Sequence, residues 1–255
     1  MIDDFKVVDG HVHTFASKEI ALKIQKAFNE IYDIQFENPG TGVIDEVRSN
    51  MDNLGVDYTI MVNFASARLV HSNNLWTLEA AARYNDLVPL VSFHPDMEGN
   101  KSELLEDYIN KGAKGIKLHP MAQNFNPNDI KMQDLYKQCN ELMLPIVFHC
   151  GRVSNARINE FSDIEEIVPV IEKYPNVPVV VTHMADGNKE VVLKLSKLYE
   201  NVYFDTSIVI TGYPSIMEIN EPSWLDDCTV VDVINTIGAE RVIFGSDYPW
   251  GSIRH

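Results

Sequence analysis

Histidines and carboxylates able to hold a metal ion recur along this chain at the ends of β-like runs. In Asp9-Gly10-His11-Val12-His13 the strand period of two turns both imidazoles to one side, where two neutral nitrogens can converge on one ion. His149 ends the run PIVFH, His183 ends VVVTH and Asp247 ends RVIFGSD, so three more segments finish on a ligand or proton-transfer group. Three imidazoles and one carboxylate suit a single borderline divalent ion: zinc first, with manganese or ferrous iron as alternatives. Magnesium or calcium would call for mostly oxygen donors. Such an ion generates hydroxide from bound water near neutral pH, while a strand-end histidine or carboxylate left off the ion moves a proton or orients that water. The opposing explanation, histidines that merely bond backbone at a rim, must account separately for His11, His13, His149, His183 and Asp247.

The elements that must position these residues follow a repeated βα grammar. Eight β-rich runs begin at Lys6, Tyr58, Leu87, Gly112, Pro145, Val177, Asn201 and Arg241, several of them continuously apolar as expected of parallel strands covered on both faces. Between them, TLEAAARYND, KSELLEDYINKG, DIKMQDLYKQCNELM, DIEEIVPVIEKY, NKEVVLKLSKLYE and TVVDVINTIGAE mix apolar and charged residues at helical spacing. Eight such units predict an α/β fold, a (β/α)8 TIM barrel of the metal-dependent hydrolase type spanning residues 1–255 as one domain, with its site at the C-terminal strand ends. An open doubly wound sheet competes less well, since no glycine-rich nucleotide loop follows the first strand. Residues 16–42 make a long first connection, with SKEIALKIQKAFNEIYD as an inserted helix over the barrel mouth and QFENPGTG as a link. The helix VIDEVRSNMDNLG then follows.

The 255 residues, 45% hydrophobic and 23% charged, suffice to bury a large core. The 21 Lys and Arg against 37 Asp and Glu give −16, which argues against broad affinity for nucleic acid or anionic lipid. Cys139, Cys150 and Cys228 are too few for a disulfide framework, the N-terminal segment lacks a secretory pattern and no apolar run is long enough to span a bilayer, so a cytoplasmic protein is expected.

The wording HVH at strand 1, GIKLHP at strand 4, FHCG at strand 5, VTHMA at strand 6 and FGSDYPWG at strand 8 resembles the amidohydrolase superfamily, especially the Amidohydrolase 2 branch related to amino-carboxymuconate-semialdehyde decarboxylase. The resemblance spans nearly the whole chain. It implies a distorted (β/α)8 barrel, one divalent metal and hydrolytic, hydratase or non-oxidative decarboxylase chemistry. By that resemblance His11 and His13 are the first-strand metal pair, His149 the strand 5 ligand, His183 the strand 6 catalytic histidine and Asp247 the strand 8 carboxylate. A homodimer is common among such enzymes.

Other residues carry two readings. Lys117 lies two residues before His119 on strand 4, so both point the same way. In other branches of the superfamily a lysine here is carboxylated and bridges two metals; otherwise Lys117 binds an anionic substrate group or pairs with Asp9 or Asp247. His94 and His119, each before a proline, line the pocket or fix loops. Arg152, after HCG, holds a substrate carboxylate or makes a surface salt bridge. Arg68 and Trp76 are weaker pocket candidates, Tyr248 and Trp250 contact substrate or pack the rim, and Cys150 is turned away from the metal side as a packing residue.

The leading expectation is a metal-dependent hydrolase acting on a small, anionic amide, ester or lactone. A non-oxidative decarboxylase or hydratase is the alternative, and a non-catalytic metal-containing binding protein the third. YPWGSIRH leaves no room for a helix after strand 8, which points to a truncated or partly represented chain or to cover from another subunit.

Overall fold

Eight short parallel strands run in chain order around the molecule: β1 (Val8–Val12), β2 (Tyr58–Met61), β3 (Leu87–Pro89), β4 (Ile116–Leu118), β5 (Ile146–Phe148), β6 (Val179–Val181), β7 (Val202–Asp205) and β8 (Val242–Ile243). This computed structural model describes residues 5–32, 40–153, 156–209 and 225–251, without the side chains of 156–158. The strands form a three-stranded and a five-stranded sheet. Val91 N–H donates to Gly115 and Lys117 N–H to Val91, joining the β3 and β4 ends. Gly10 N–H donates to Phe244 at 2.8 Å and Asp247 N–H to His11 at 2.9 Å, joining β8 to β1. The barrel predicted from the βα grammar is thereby closed.

Register places Lys117 beside Val147, Val147 beside Val180, and Val180 beside Tyr203. Residues one step away, such as Phe148, Val181 and Phe204, pack outward into the main core with the helices, while Val62, Leu90, Val147 and Val180 form a separate inner cluster. Strand alternation therefore puts Lys117 in an apolar inner layer. The approach of β8 to β1 is tight: a Cβ on Gly245 would stand 2.7 Å from His11 Cβ.

Helix α1 (Lys18–Tyr32) occupies the long first connection, and α2 (Ile44–Leu54) follows; Ala21, Gln25 and Tyr32 are buried on α1. Of the expected link, 33–39 lies outside the described residues. Helix α3 (Val70–Ala82) begins seven residues before the run TLEAAARYND, so Trp76 sits within a helix and packs beside Val12 and Val47 rather than on a loop. Helix α4 (Lys101–Asn110) starts where Asn100 accepts from the Ser102 and Glu103 amides, a side-chain cap that satisfies otherwise unpaired donors. Further helices cover Gln133–Leu142, Ile164–Lys173, Lys189–Leu198 and Asp227–Ile237. No helix follows β8 among the described residues, and none of the described helices is long and apolar enough to cross a membrane.

Candidate metal centre

His11, His13 and Asp247 each offer a ligand atom, and the three atoms lie within 4.8 Å of one another. The Nε2 atoms of His11 and His13 both stand 3.3 Å from Asp247 Oδ1. All three residues are buried. Two adjacent strands supply them: β1 alternation presents the imidazoles, and the Asp247 amide bound to the His11 carbonyl holds the carboxylate alongside.

The unliganded side of His11 is fixed by Asp205, the last residue of β7. Its Oδ2 lies 2.8 Å from His11 Nδ1, so a proton on Nδ1 donates to the carboxylate and the Nε2 lone pair faces Asp247. Asp205 Oδ1 accepts from the backbone amides of His183 and Ser207 and from the Ser207 hydroxyl. Ser207 Oγ is also 2.8 Å from His183 Nδ1, and His183 Nε2 is 3.2 Å from His149 Nδ1. One buried carboxylate thus connects His11 to the backbone and ring of His183.

His183 opens a turn in which His183, Met184, Ala185 and Asp186 all have positive φ, from 44° to 60°. Asp247 also has φ 59°. Left-handed backbone costs about 1–2 kcal/mol per non-glycine residue, and such strain is retained where the surroundings enforce it, commonly at functional sites. Here the Asp205 bond to His183 N–H helps enforce it.

Electrostatics prepare the site for a cation. Burial, followed by the charge of Lys117, lowers the His11 pKa to about 4 against the opposing pull of Asp205. Burial lowers His13 as well, and burial with neighbouring His149 or His183 lowers His119 and His149 strongly. These imidazoles are neutral at neutral pH, the form that ligates metals. Burial disfavours ionisation of Asp247, but the bond to His13 and, at the low pH where the carboxyl titrates, the protonated His11 and His13 rings outweigh it and hold its carboxyl below the usual range. A borderline divalent ion fits two neutral imidazoles and an ionised carboxylate.

His149 is not in the close triad, its Nδ1 being turned to His183. Its ring stacks on His119 with centroids 3.7 Å apart. His119 Nδ1 accepts from the Ala122 amide, which places the ring proton on Nε2. Lys117 is fully buried and its Nζ has no hydrogen-bond partner. The expected pairing with Asp9 does not form, because Asp9 accepts from Ser246 N–H, Ser246 Oγ–H and His11 N–H, clamping β8 to β1. Burial lowers the Lys117 pKa to about 8, partly offset by Asp205 and Asp247.

Two expected substrate contacts are spent elsewhere. His94 Nδ1 accepts from Asp96 N–H and its Nε2 lies 3.0 Å from the Gln123 carbonyl, so both ring nitrogens fix loops. Arg152 makes a two-bonded pair with Asp163, both contacts 2.6 Å, while its side chain is 63% exposed; this is the surface alternative. Arg68 is exposed. Tyr248 packs with Val47 and Met51, whereas Trp250 brings its edge to His13 at 5.0 Å. Cys150 is buried and burial raises its pKa, which disfavours a reactive thiolate. Asp205 was missed by sequence reasoning, although it ends NVYFD at a strand terminus like the residues that were singled out.

No curated protein sequence matches this chain. Among solved structures, an uncharacterized TIM-barrel protein from Bordetella bronchiseptica superposes with a TM-score of 0.71 at 18% identity, covering 97% of this chain and 87% of its own. A 5-carboxyvanillate decarboxylase from Novosphingobium aromaticivorans, complexed with manganese and 4-hydroxy-3-methoxy-5-nitrobenzoic acid, gives 0.67 at 14% identity, covering 98% and 88%. A 4-oxalomesaconate hydratase from Rhodopseudomonas palustris gives 0.60 at 16% identity, covering 95% and 82%. These likenesses establish the fold. The amidohydrolase family profile matches residues 8–252, and the chain therefore belongs to the amidohydrolase family.

Proposed function

We propose that this protein is a metal-dependent lyase that removes carbon dioxide from a small conjugated or aromatic carboxylic acid. The observation that carries this reading is the ammonium of Lys117, fully buried in an apolar layer without a hydrogen-bond partner, close enough to the triad to depress the His11 and His13 pKa values. A buried cation without a hydrogen-bonded partner, its charge only partly offset by Asp205 and Asp247, is costly. A substrate carboxylate supplies the missing counter-ion.

Once held there, the carboxylate is stripped of water by the apolar inner layer and by Phe64, which lies 5.7 Å from His13 and 4.5 Å from His119. Losing water destabilises a localised carboxylate more than the dispersed charge that develops as the carbon–carbon bond breaks. The electron pair of that bond stays on the substrate carbon, which takes a proton from His183, and carbon dioxide leaves. Asp205 and Ser207 orient His183 for this transfer. His11, His13 and Asp247 would hold a divalent ion, zinc first and manganese or ferrous iron next, which would supply Lewis-acid stabilisation of negative charge on a substrate oxygen. His119 stacks on His149, which meets His183, and a proton on His119 Nε2 would serve a substrate oxygen.

Hydrolysis of an anionic amide, ester or lactone, the first expectation from sequence, uses the same ligands and would also seat an anionic group on Lys117, but it makes no use of desolvating that group. The decarboxylase and hydratase among the structural neighbours also support the lyase reading. The test is a screen of zinc- and manganese-loaded protein against unsaturated and aromatic acids, lactones, esters and amides, read by carbon dioxide release and by product mass. Metal-dependent carbon dioxide release supports the proposal; turnover confined to lactones, esters or amides overturns it.

A further inference from the structure

Helix α1 brings aromatic groups to the barrel mouth that the chemistry above does not use. Phe28 lies 4.7 Å from Tyr32, 5.2 Å from Trp250 and 6.1 Å from Phe64 between ring centroids. Trp250 and Phe64 in turn contact His13, and Phe64 contacts His119. A continuous aromatic wall therefore joins α1 to the imidazoles of the candidate centre.

Tyr32 is 7% exposed, yet its hydroxyl has no hydrogen-bond partner, and Trp250 Nε1 is likewise buried without one. Burial and the nearby charge of Asp247 raise the Tyr32 pKa, so the phenol remains a donor. Lys117 Nζ is a third orphaned buried donor, and all three residues surround the same triad: Tyr32 and Lys117 each feel the charge of Asp247, and the Trp250 ring contacts His13. Native proteins satisfy the great majority of such groups, and a group left unsatisfied carries a desolvation cost. A ligand bearing several oxygen acceptors removes that cost at all three positions.

We propose that Tyr32 is a specificity-determining residue whose hydroxyl donates to a neutral oxygen on a planar substrate, while Lys117 holds that substrate's carboxylate. Phe28 and Phe64 provide flat apolar surface for the ring, and the substrate class becomes an oxygen-substituted aromatic or conjugated acid. This inference rests on the carboxylate role proposed above for Lys117. Selection then comes from a hydrogen-bonding site that rejects analogues lacking the acceptor, since the phenol would stay buried and unpaired.

The experiment is calorimetric binding of benzoate and of 2-, 3- and 4-methoxybenzoate to zinc-loaded wild-type, Tyr32→Phe and Lys117→Met proteins. At least one methoxy isomer is expected to bind wild type more tightly than benzoate and to lose about tenfold in Tyr32→Phe, with benzoate changed less than about twofold. Lys117→Met is expected to weaken all four acids. Equal shifts across the four acids in Tyr32→Phe, no shift, or no binding of any to wild type would overturn the role of Tyr32. If instead Lys117→Met binds the acids as well as wild type, the carboxylate site fails and the proposal fails with it. A loss confined to Lys117→Met leaves the carboxylate site standing and removes only Tyr32. In the ligand-free protein Tyr32→Phe should match or exceed the wild-type urea midpoint, because an unsatisfied hydroxyl is removed; a lower midpoint would reveal a structural bond and refute the inference.

Discussion

Asp205→Asn isolates the carboxylate that holds His11. In the wild type Oδ1 accepts from three donors, the His183 and Ser207 amides and the Ser207 hydroxyl, while Oδ2 meets His11 Nδ1 at 2.8 Å. An asparagine has one acceptor oxygen. If that oxygen serves the three donors, the amide NH2 faces His11 and favours the tautomer with its proton on Nε2, pointed where a metal would bind. If the amide is reversed, NH2 meets two backbone N–H groups. Either arrangement removes a charge-assisted hydrogen bond, and outer partners of metal-binding histidines are worth roughly 10–100-fold in affinity, or about 1.4–2.8 kcal/mol. Chelator competition with zinc should show a weakening in that range while circular dichroism stays native. Wild-type affinity within about twofold would refute the tautomer argument.

Three further outcomes follow from the same geometry. Burial lowers the Lys117 pKa from 10.5 to about 8, so the folded state resists its charge: the penalty is full below pH 8 and fades as pH rises through about 8–10.5. Lys117→Met should therefore raise the urea unfolding free energy by roughly 3 kcal/mol at pH 7 and by less at pH 9.5; lower stability at both pH values would contradict an uncompensated ammonium. Gly245→Ala pushes a methyl to 2.7 Å from His11 Cβ and should cost about 1–3 kcal/mol, seen as a lower Tm, whereas an unchanged Tm would mean that β8 can retreat. His183→Asn should retain metal on elemental analysis yet lose at least roughly a hundredfold in kcat on a substrate found in the screen; undiminished turnover would remove His183 from the proton step.

The barrel and much of its site were legible because they depend on short periodicities. Alternation in DGHVH is enough to pair His11 with His13, and the polar residue closing RVIFGSD brings Asp247 beside them, whereas His149, expected as a further ligand, lies against His183 instead. The contacts that tune the site were not legible. Asp205 reaches His11 across 194 positions, a pairing created by barrel closure and carried by no local pattern. His94 occupies a strand end like the others, but the chain after Pro95 turns the Asp96 amide back onto its ring. Nothing in Met184-Ala185-Asp186 announces a left-handed turn, since only Gly187 readily adopts that backbone. Helix α1 was expected as an insertion over the barrel mouth, yet nothing in its sequence says that Phe28 meets Tyr32, Trp250 and Phe64 there.

The most direct test is the metal content of purified, zinc-loaded protein after removal of loosely held ions, compared between wild type and the double variant His11→Ala, His13→Ala. The geometry predicts about one equivalent in wild type and nearly none in the variant, since only one protein ligand of the triad would remain. Full metal content in the variant, or none in the loaded wild type, would contradict a centre built from His11, His13 and Asp247.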